Sequence, residues 1–165
     1  MIKLKPLSKE GIAAALEKAE RYRLLNEPGE AESICLDVLE IEPDNQKALV
    51  SLVLSLTDQF DGSISLRLRQ ARELLHRLAD DYKRTYYAGI VNERQAKAIL
   101  KQGAPGCEGH AYEWFSEAMK HFEKAEAIRP PGNDEAILRW NSCARMIMRH
   151  NLVPRQEQYF EPPLE

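Results

Sequence analysis

Apolar residues recur along this chain at intervals of three and four, the spacing that aligns side chains along one face of an α-helix. The pattern is clearest in residues 115–130, and residues 31–43 repeat its spacing. Each segment closes on a proline, which ends the helix. The shared anchors are Ala118, Phe122, Ala125, Ile128 and Pro130 in the later segment, and Ala31, Cys35, Val38, Ile41 and Pro43 in the earlier one. Two distant helices with one spacing indicate an internal repeat.

The same periodicity predicts about seven helices. The third has an apolar core at residues 48–56 that covers most of its circumference, so we expect neighbours on more than one side. In the seventh we expect Ile137, Trp140, Ala144 and Ile147 to face inward. The predicted helices are residues 8–26 with Ser8 as cap, 28–43, a third capped by Asp44 or Asn45, 64–82, 83 or 84 to 100, 108 or 110 to 129, and a seventh capped by Asn133 or Asp134 that ends near His150.

No segment alternates apolar and polar residues with a period of two over a useful length, so we predict an all-α protein built from antiparallel helix pairs. Residues 151–165 contain three prolines and do not continue as a regular helix. We therefore divide the chain into a helical domain, residues 1–150, and a proline-containing C-terminal tail, residues 151–165.

This arrangement of helix pairs resembles the tetratricopeptide repeat (TPR), whose unit is about 34 residues long. Residues 12–45 fit one unit without a gap, with Ala19 at the small position and Tyr22 at the aromatic one. Two later units carry insertions, and Lys83 stands where the second should close on a proline. The resemblance spans residues 12–150. It implies an antiparallel helix-pair solenoid of about three TPR-like repeats plus a C-terminal capping helix.

The resemblance also implies a concave groove, lined by the first helix of each pair, that binds a protein or peptide partner. Arg145 and Arg149 are four residues apart on the seventh helix and could meet a carboxylate there, although a solvated helix face explains them as well. The family's carboxylate clamp is absent. The ligand-facing positions of the TPR family correspond here to Leu16, Glu20, Arg23 and Leu24 in the first pair and to Val50, Leu54, Thr57 and Asp58 in the second.

The leucines and Val50 would make this groove partly apolar, and exposed apolar patches usually mark a covered surface. Three covers are compatible with the sequence: an apolar partner segment, a second copy of the chain, or the C-terminal tail. Alternatively, the array curls enough to bury the third helix as ordinary core. The tail supplies Leu152, Val153, Tyr159, Phe160 and Leu164. If the tail fills the groove, deleting residues after His150 should expose hydrophobic surface or open a peptide site.

The net charge of −3 argues against a surface that binds nucleic acid throughout. The fourth helix is locally basic, but acidic residues interrupt its arginines and no aromatic residue stands among them in sequence. We therefore do not expect a nucleic acid partner. Three widely spaced cysteines favour free thiols in a reducing compartment. No secretory h-region or membrane-spanning run is present. We therefore expect a cytoplasmic protein that has no membrane partner.

Metal and catalytic patterns are weak. Cys107 and His110 are two potential ligands on a glycine-rich turn, which is too few for a tetrahedral zinc site. We therefore predict no enzyme activity, cofactor or metal, and a protein–protein interaction scaffold that binds a peptide in the groove. A homo-oligomeric assembly module or small helical chaperone is the first alternative. An RNA-binding helical repeat, or an enzyme whose site the sequence does not reveal, is the second.

Overall fold

The computed structural model describes residues 1–60 and 64–156, and within these ranges every regular element is helical. This confirms the all-α prediction. A short 3₁₀ helix, Lys9–Gly11, precedes the first α-helix. The α-helices are α1 (Ile12–Leu24), α2 (Pro28–Ile41), α3 (Gln46–Thr57), α4 (Ile64–Leu75), α5 (Asp81–Gln102), α6 (Cys107–Ala127) and α7 (Glu135–Arg149).

Local chemistry sets the N-terminal ends of α2 and α3, whereas the predicted cap of α1 is not used. Pro28 is the first residue of α2, where a missing backbone N–H costs nothing. The Asn45 side chain accepts a hydrogen bond from the backbone N–H of Ala48 at 2.9 Å and caps α3. Ser8 does not cap α1. It precedes the 3₁₀ turn without a side-chain capping bond, and α1 begins only at Ile12.

The prediction that the fourth helix continues to Tyr82 is wrong. α4 ends at Leu75, and Tyr82 is the second residue of α5. The reason is a capping signal that overrides the apolar spacing: the Asp80 carboxylate accepts a hydrogen bond from the backbone N–H of Lys83 at 2.8 Å. Leu78 lies between the helices and is still buried, which is why it fits the same periodic pattern.

Asparagine ends two of the helices. Asn26 after α1 and Asn151 after α7 both have positive φ, at 60° and 49°. Beyond each, the next N–H reaches back to a helix carbonyl, from Glu27 to Tyr22 at 2.8 Å and from Leu152 to Ile147 at 3.0 Å. This is the Schellman pattern, which satisfies carbonyls that the helix end leaves free. The second of these turns directs the chain after α7 back towards the core.

Each helix packs against its neighbour in sequence, and the odd-numbered helices also form a row: α1 contacts α3, α3 contacts α5 and α5 contacts α7. Within the described residues, α1 and α2 make no extensive contact with α6 or α7. α3 packs on α1, α2, α4 and α5, as its broad apolar surface predicts. α5 has four helical neighbours as well: α3, α4, α6 and α7.

The two segments of equal spacing are buried in corresponding ways. Their first three anchors are all inaccessible to solvent: Ala31, Cys35 and Val38 in α2, and Ala118, Phe122 and Ala125 in α6. The fourth anchors differ, because Ile41 is half-buried at the end of α2 whereas Ile128 follows the end of α6 and is 52% exposed. In α7 the predicted inward residues are only partly buried, and the inner stripe is centred on Ala136 and Cys143.

The contact between α5 and α6 depends on Gly89. An added Cβ at this position would lie 2.6 Å from the Phe122 ring, closer than packed atoms approach. We expect Gly89→Ala to lower the free energy of unfolding by about 1–3 kcal/mol because the core would be overpacked, even though alanine favours a helix. Gly29→Ala in α2 is the matched control, since its nearest neighbour would be 3.8 Å away and stability should not fall. Chemical denaturation measures both. Equal behaviour of the two variants would contradict the packing argument.

Candidate functional site

A groove of about 680 Å³ opens between α1 and α3, with residues of α5 at one side. Its walls are apolar where the two helices face each other. Its rim is charged with both signs, including Glu17 and Glu20 from α1, Lys47 from α3 and Lys83 from α5. The apolar lining residues are Ile12, Ala13, Leu16, Val50 and Leu54.

Five of the residues that the sequence assigned to a groove line this one: Leu16, Glu20, Arg23, Val50 and Leu54. Helix geometry explains the grouping, because residues 16, 20 and 23 share one face of α1 and residues 50 and 54 share one face of α3. Asp58 is not a lining residue, but it reaches the groove through an ion pair with Arg23. Thr57 is buried and donates its hydroxyl to the Val53 carbonyl.

Three further predicted residues lie elsewhere. Leu24 is at the end of α1, is 87% exposed and is not among the residues that line the groove. Arg145 and Arg149 are exposed on α7 and do not line it either. Leu24, Arg145 and Arg149 therefore do not belong to the groove between α1 and α3.

One end of the groove is fixed by a carboxylate shared between two arginines. Asp58 Oδ2 accepts from Arg23 Nε at 2.8 Å, and Asp58 Oδ1 accepts from Arg94 Nη1 at 2.6 Å. Arg94 also donates to the Thr57 hydroxyl at 2.7 Å and to the Leu54 carbonyl at 2.9 Å. Burial lowers the pKa of the Arg94 guanidinium, and the Asp58 charge partly opposes that shift. These contacts tie α1, α3 and α5 together beside the groove.

A buried carboxylate, Glu93, connects α5 with α7. The Glu93 side chain is 1% exposed and lies 3.0 Å from Lys97 Nζ and 3.5 Å from Arg139 Nη1. Close by, the Tyr82 and Tyr86 rings stack with centroids 5.7 Å apart. Burial raises the pKa of Tyr82 to about 12, and the neighbouring Glu135 charge adds to this. Burial also raises the pKa of Tyr86. Both phenols therefore remain neutral hydrogen-bonding groups at physiological pH.

Sequence reasoning did not identify Tyr87, Glu93, Arg94 or Arg139 as residues near a site. The sequence does carry one signal, since four polar residues, 92–95, interrupt a helix whose flanking segments are apolar. The structure buries Asn92, Glu93 and Gln95, which lie on different faces of the helix. Helical periodicity, which identifies a single buried face, therefore does not reveal them. Only the positions of α3, α4 and α7 around α5 explain this.

The described part of the C-terminal tail does not enter the groove. Leu152 is 5% exposed and belongs to the core formed by α5, α6 and α7, while Val153 is 64% exposed. Arg155 binds both oxygens of Glu113 on α6, with both distances at 2.7 Å. This two-point contact holds the start of the tail against α6 instead. The other proposed groove-filling residues, Tyr159, Phe160 and Leu164, lie outside the described residues.

The structure adds three observations on chemistry. Among residues 1–60 and 64–156, no cluster of three or more histidine, cysteine or acidic side chains could hold a metal ion. Cys107 is buried at the first residue of α6, and His110 is exposed beside Arg155. In the same part of the chain, no helix combines the length and the apolar character that crossing a bilayer demands.

The Asp58 contacts generate a stability prediction. Asp58→Asn removes the charge that both arginines share, and we expect the free energy of unfolding to fall by about 1–2 kcal/mol because Arg94 loses its compensating partner. The expected loss of stability is moderate because the side chains of Asp58 and Arg94 are 24% and 21% exposed, and solvent weakens an exposed ion pair. Glu40→Gln is the control, since Glu40 is exposed on α2. Urea denaturation should show no comparable loss for it. A similar loss in both variants would contradict the shared-carboxylate interpretation.

The cysteines generate a second prediction. All three are buried as free thiols, and burial raises the pKa of each, to about 12 for Cys143. Because the thiolate is the reactive form, we expect slow reaction of the native protein with a disulfide reagent at mildly alkaline pH and rapid reaction of all three after denaturation. Absorbance of the released thiol measures this. Rapid modification of Cys35 or Cys143 in the folded protein would contradict it.

Comparison with known proteins gives no assignment. The chain matches no family model, no curated protein and no solved structure. Its function must therefore be inferred from the groove and the residues around it.

Proposed function

We propose that this chain is a protein-interaction scaffold that holds an extended segment of another protein in the groove between α1 and α3. The observation that carries the proposal is the groove itself, with apolar walls from two helices and a charged rim. An open groove of this composition suits a peptide, because side chains on alternate positions can enter it while the peptide backbone remains near solvent.

We further propose that the helices form a TPR-like solenoid with the groove on its concave side. Two observations support this arrangement: the row of contacts from α1 through α3 and α5 to α7, and the matching burial of the anchors in α2 and α6. In a stacked array of this kind, neighbouring pairs supply the cover that no single pair has. The odd-numbered helices would then line one continuous surface.

The residues at the groove define the partner's chemistry. Leu16, Val50 and Leu54 favour apolar anchor side chains, since burying such side chains supplies most of the affinity at small interfaces. The lining carries both cations, such as Lys47 and Lys83, and anions, such as Glu17 and Glu20. A partner segment with charges of both signs would therefore complement it better than one of a single sign.

The ion pairs of Asp58 support the same function through preorganisation. Arg23 lines the groove and is held by Asp58, which Arg94 holds in turn. A side chain whose position is fixed before binding loses less conformational entropy when the partner arrives. The Asp58 network would thus keep one end of the groove in a single shape.

Selection of displayed peptides on the immobilised full chain tests the proposal. The selected peptides are then synthesised and titrated by fluorescence anisotropy. We expect Leu16→Arg and Glu20→Lys each to weaken binding, the first by at least roughly tenfold because a charge replaces an apolar contact. Leu24→Arg is the matched control on the same helix and should leave affinity unchanged, because Leu24 does not line the groove.

Circular dichroism establishes that each variant is folded, and Glu20→Lys changes an exposed residue whose replacement should not disturb the core. Peptides that bind both groove variants as tightly as the unaltered chain would overturn the proposal. Light scattering separates the assembly alternative: a dimer that dissociates in the Leu16→Arg variant would show that the groove holds a second copy of the chain.

A further inference from the structure

A second groove, of about 390 Å³, lies between α4, α5 and α6 and shares no residue with the first. Its lining is rich in basic side chains, with Arg72 and His76 from α4 and the turn after it, Arg84 from α5, and His121 from α6. Among the described residues of the lining, Glu117 is the one carboxylate, and it is bonded to Lys120 at 2.6 Å. Arg84 is ion-paired with Asp81, so Arg72 is the guanidinium of this lining whose charge an anion could meet.

Arg72 is held in this groove by neutral groups. Its Nη2 lies 3.3 Å from both the Asn92 and the Gln95 side-chain oxygens. These two amides are buried, at 7% and 9% exposure, so they provide a rigid support. Among the described residues, no ion pair involves Arg72. By contrast, Arg67 on the same helix as Arg72 pairs with Glu32 of α2. The guanidinium is therefore positioned while its charge remains available to an anion.

An aromatic ring completes the arrangement. Arg72 Cζ lies 5.1 Å from the centre of the Trp114 ring, which α6 contributes to the same groove. Leu75, Ala88 and Val91 form an apolar wall beside it. Tryptophan and arginine planes are surfaces on which nucleic acid bases stack. The sequence placed no aromatic residue among these arginines, and the fold supplies one from more than thirty positions away.

We propose that this groove binds a nucleotide, with the phosphate on the Arg72 guanidinium and the base against the apolar wall and the part of the Trp114 ring that Arg72 does not cover. A guanidinium offers paired N–H donors that match phosphate oxygens, and its support by two amides leaves the other donors for the ligand. The cavity volume is within the range of small-molecule sites. A phosphate joined to an aromatic base occurs in a free mononucleotide and in single-stranded RNA, and both carry the required chemistry.

Tryptophan fluorescence tests this proposal directly. The chain has two tryptophans, so Trp140→Phe leaves Trp114 as the reporter. Adenosine monophosphate, adenosine, inorganic phosphate and a short oligoadenylate RNA are titrated separately, and calorimetry on the unaltered chain repeats each titration. We expect adenosine monophosphate to quench Trp114 and to bind at least roughly tenfold more weakly to Arg72→Gln, because a charged hydrogen bond is lost.

Arg69→Gln is the matched control, since Arg69 is an exposed arginine on α4 that does not line the groove. It should bind the nucleotide as the unaltered chain does. Equal affinity for adenosine and its monophosphate, equal loss in the two arginine variants, or no heat and no quenching at millimolar nucleotide would each overturn the proposal. Tighter binding of the oligonucleotide would assign a strand as the ligand, and equal binding would assign a free mononucleotide. A negative result here leaves the peptide groove unaffected, because the two cavities share no residue.

Discussion

The packing of α5 against four other helices is the interaction on which the rest of this structure depends. α5 is the longest of the described helices, at 22 residues, and it contacts α3, α4, α6 and α7. Its most extensive contact is with α6, where Gly89 leaves space for the Phe122 ring. Removing a buried aromatic ring of this kind typically costs about 3–5 kcal/mol, a large part of the stability of an ordinary domain. The helices on either side of α5 are therefore linked through it.

The central position of α5 also explains why so many polar groups are buried there. The fold would be destabilised if the buried side chains of Asn92, Glu93 and Gln95 had no hydrogen-bond or ion-pair partners. Instead, Glu93 meets Lys97 and Arg139, and the two amides meet Arg72. Such pairs add little net stability compared with apolar packing, but a mispaired alternative is costly. Their contribution is to define how α4 and α7 are placed against α5.

The sequence predicted the fold class and most of the helices because those features depend on local signals. Spacing identified Ala31, Cys35, Val38 and their counterparts in α6, and each is fully buried. Prediction failed where a local cap or a long-range contact competes with periodicity. Asp80 divides one predicted helix in two, and Arg155 directs the start of the tail to Glu113. For the first groove, the resemblance to a repeat family pointed to Leu16, Glu20, Val50 and Leu54, but it could not reveal Lys83 and Tyr87, which come from α5.

The two grooves meet the same helix within one turn. Lys83 and Tyr87 face the groove between α1 and α3, whereas Arg84 and Ala88 face the groove between α4 and α6. Such proximity does not by itself couple two sites, because coupling requires an element with two arrangements that the ligands favour differently. α5 is held by the Gly89 contact with Phe122, by Arg94 on Asp58 and by Glu93 on Arg139, so moving it would break contacts with three other helices at once. The physical consequence is a rigid partition between the grooves, and each site is expected to take its ligand independently of the other.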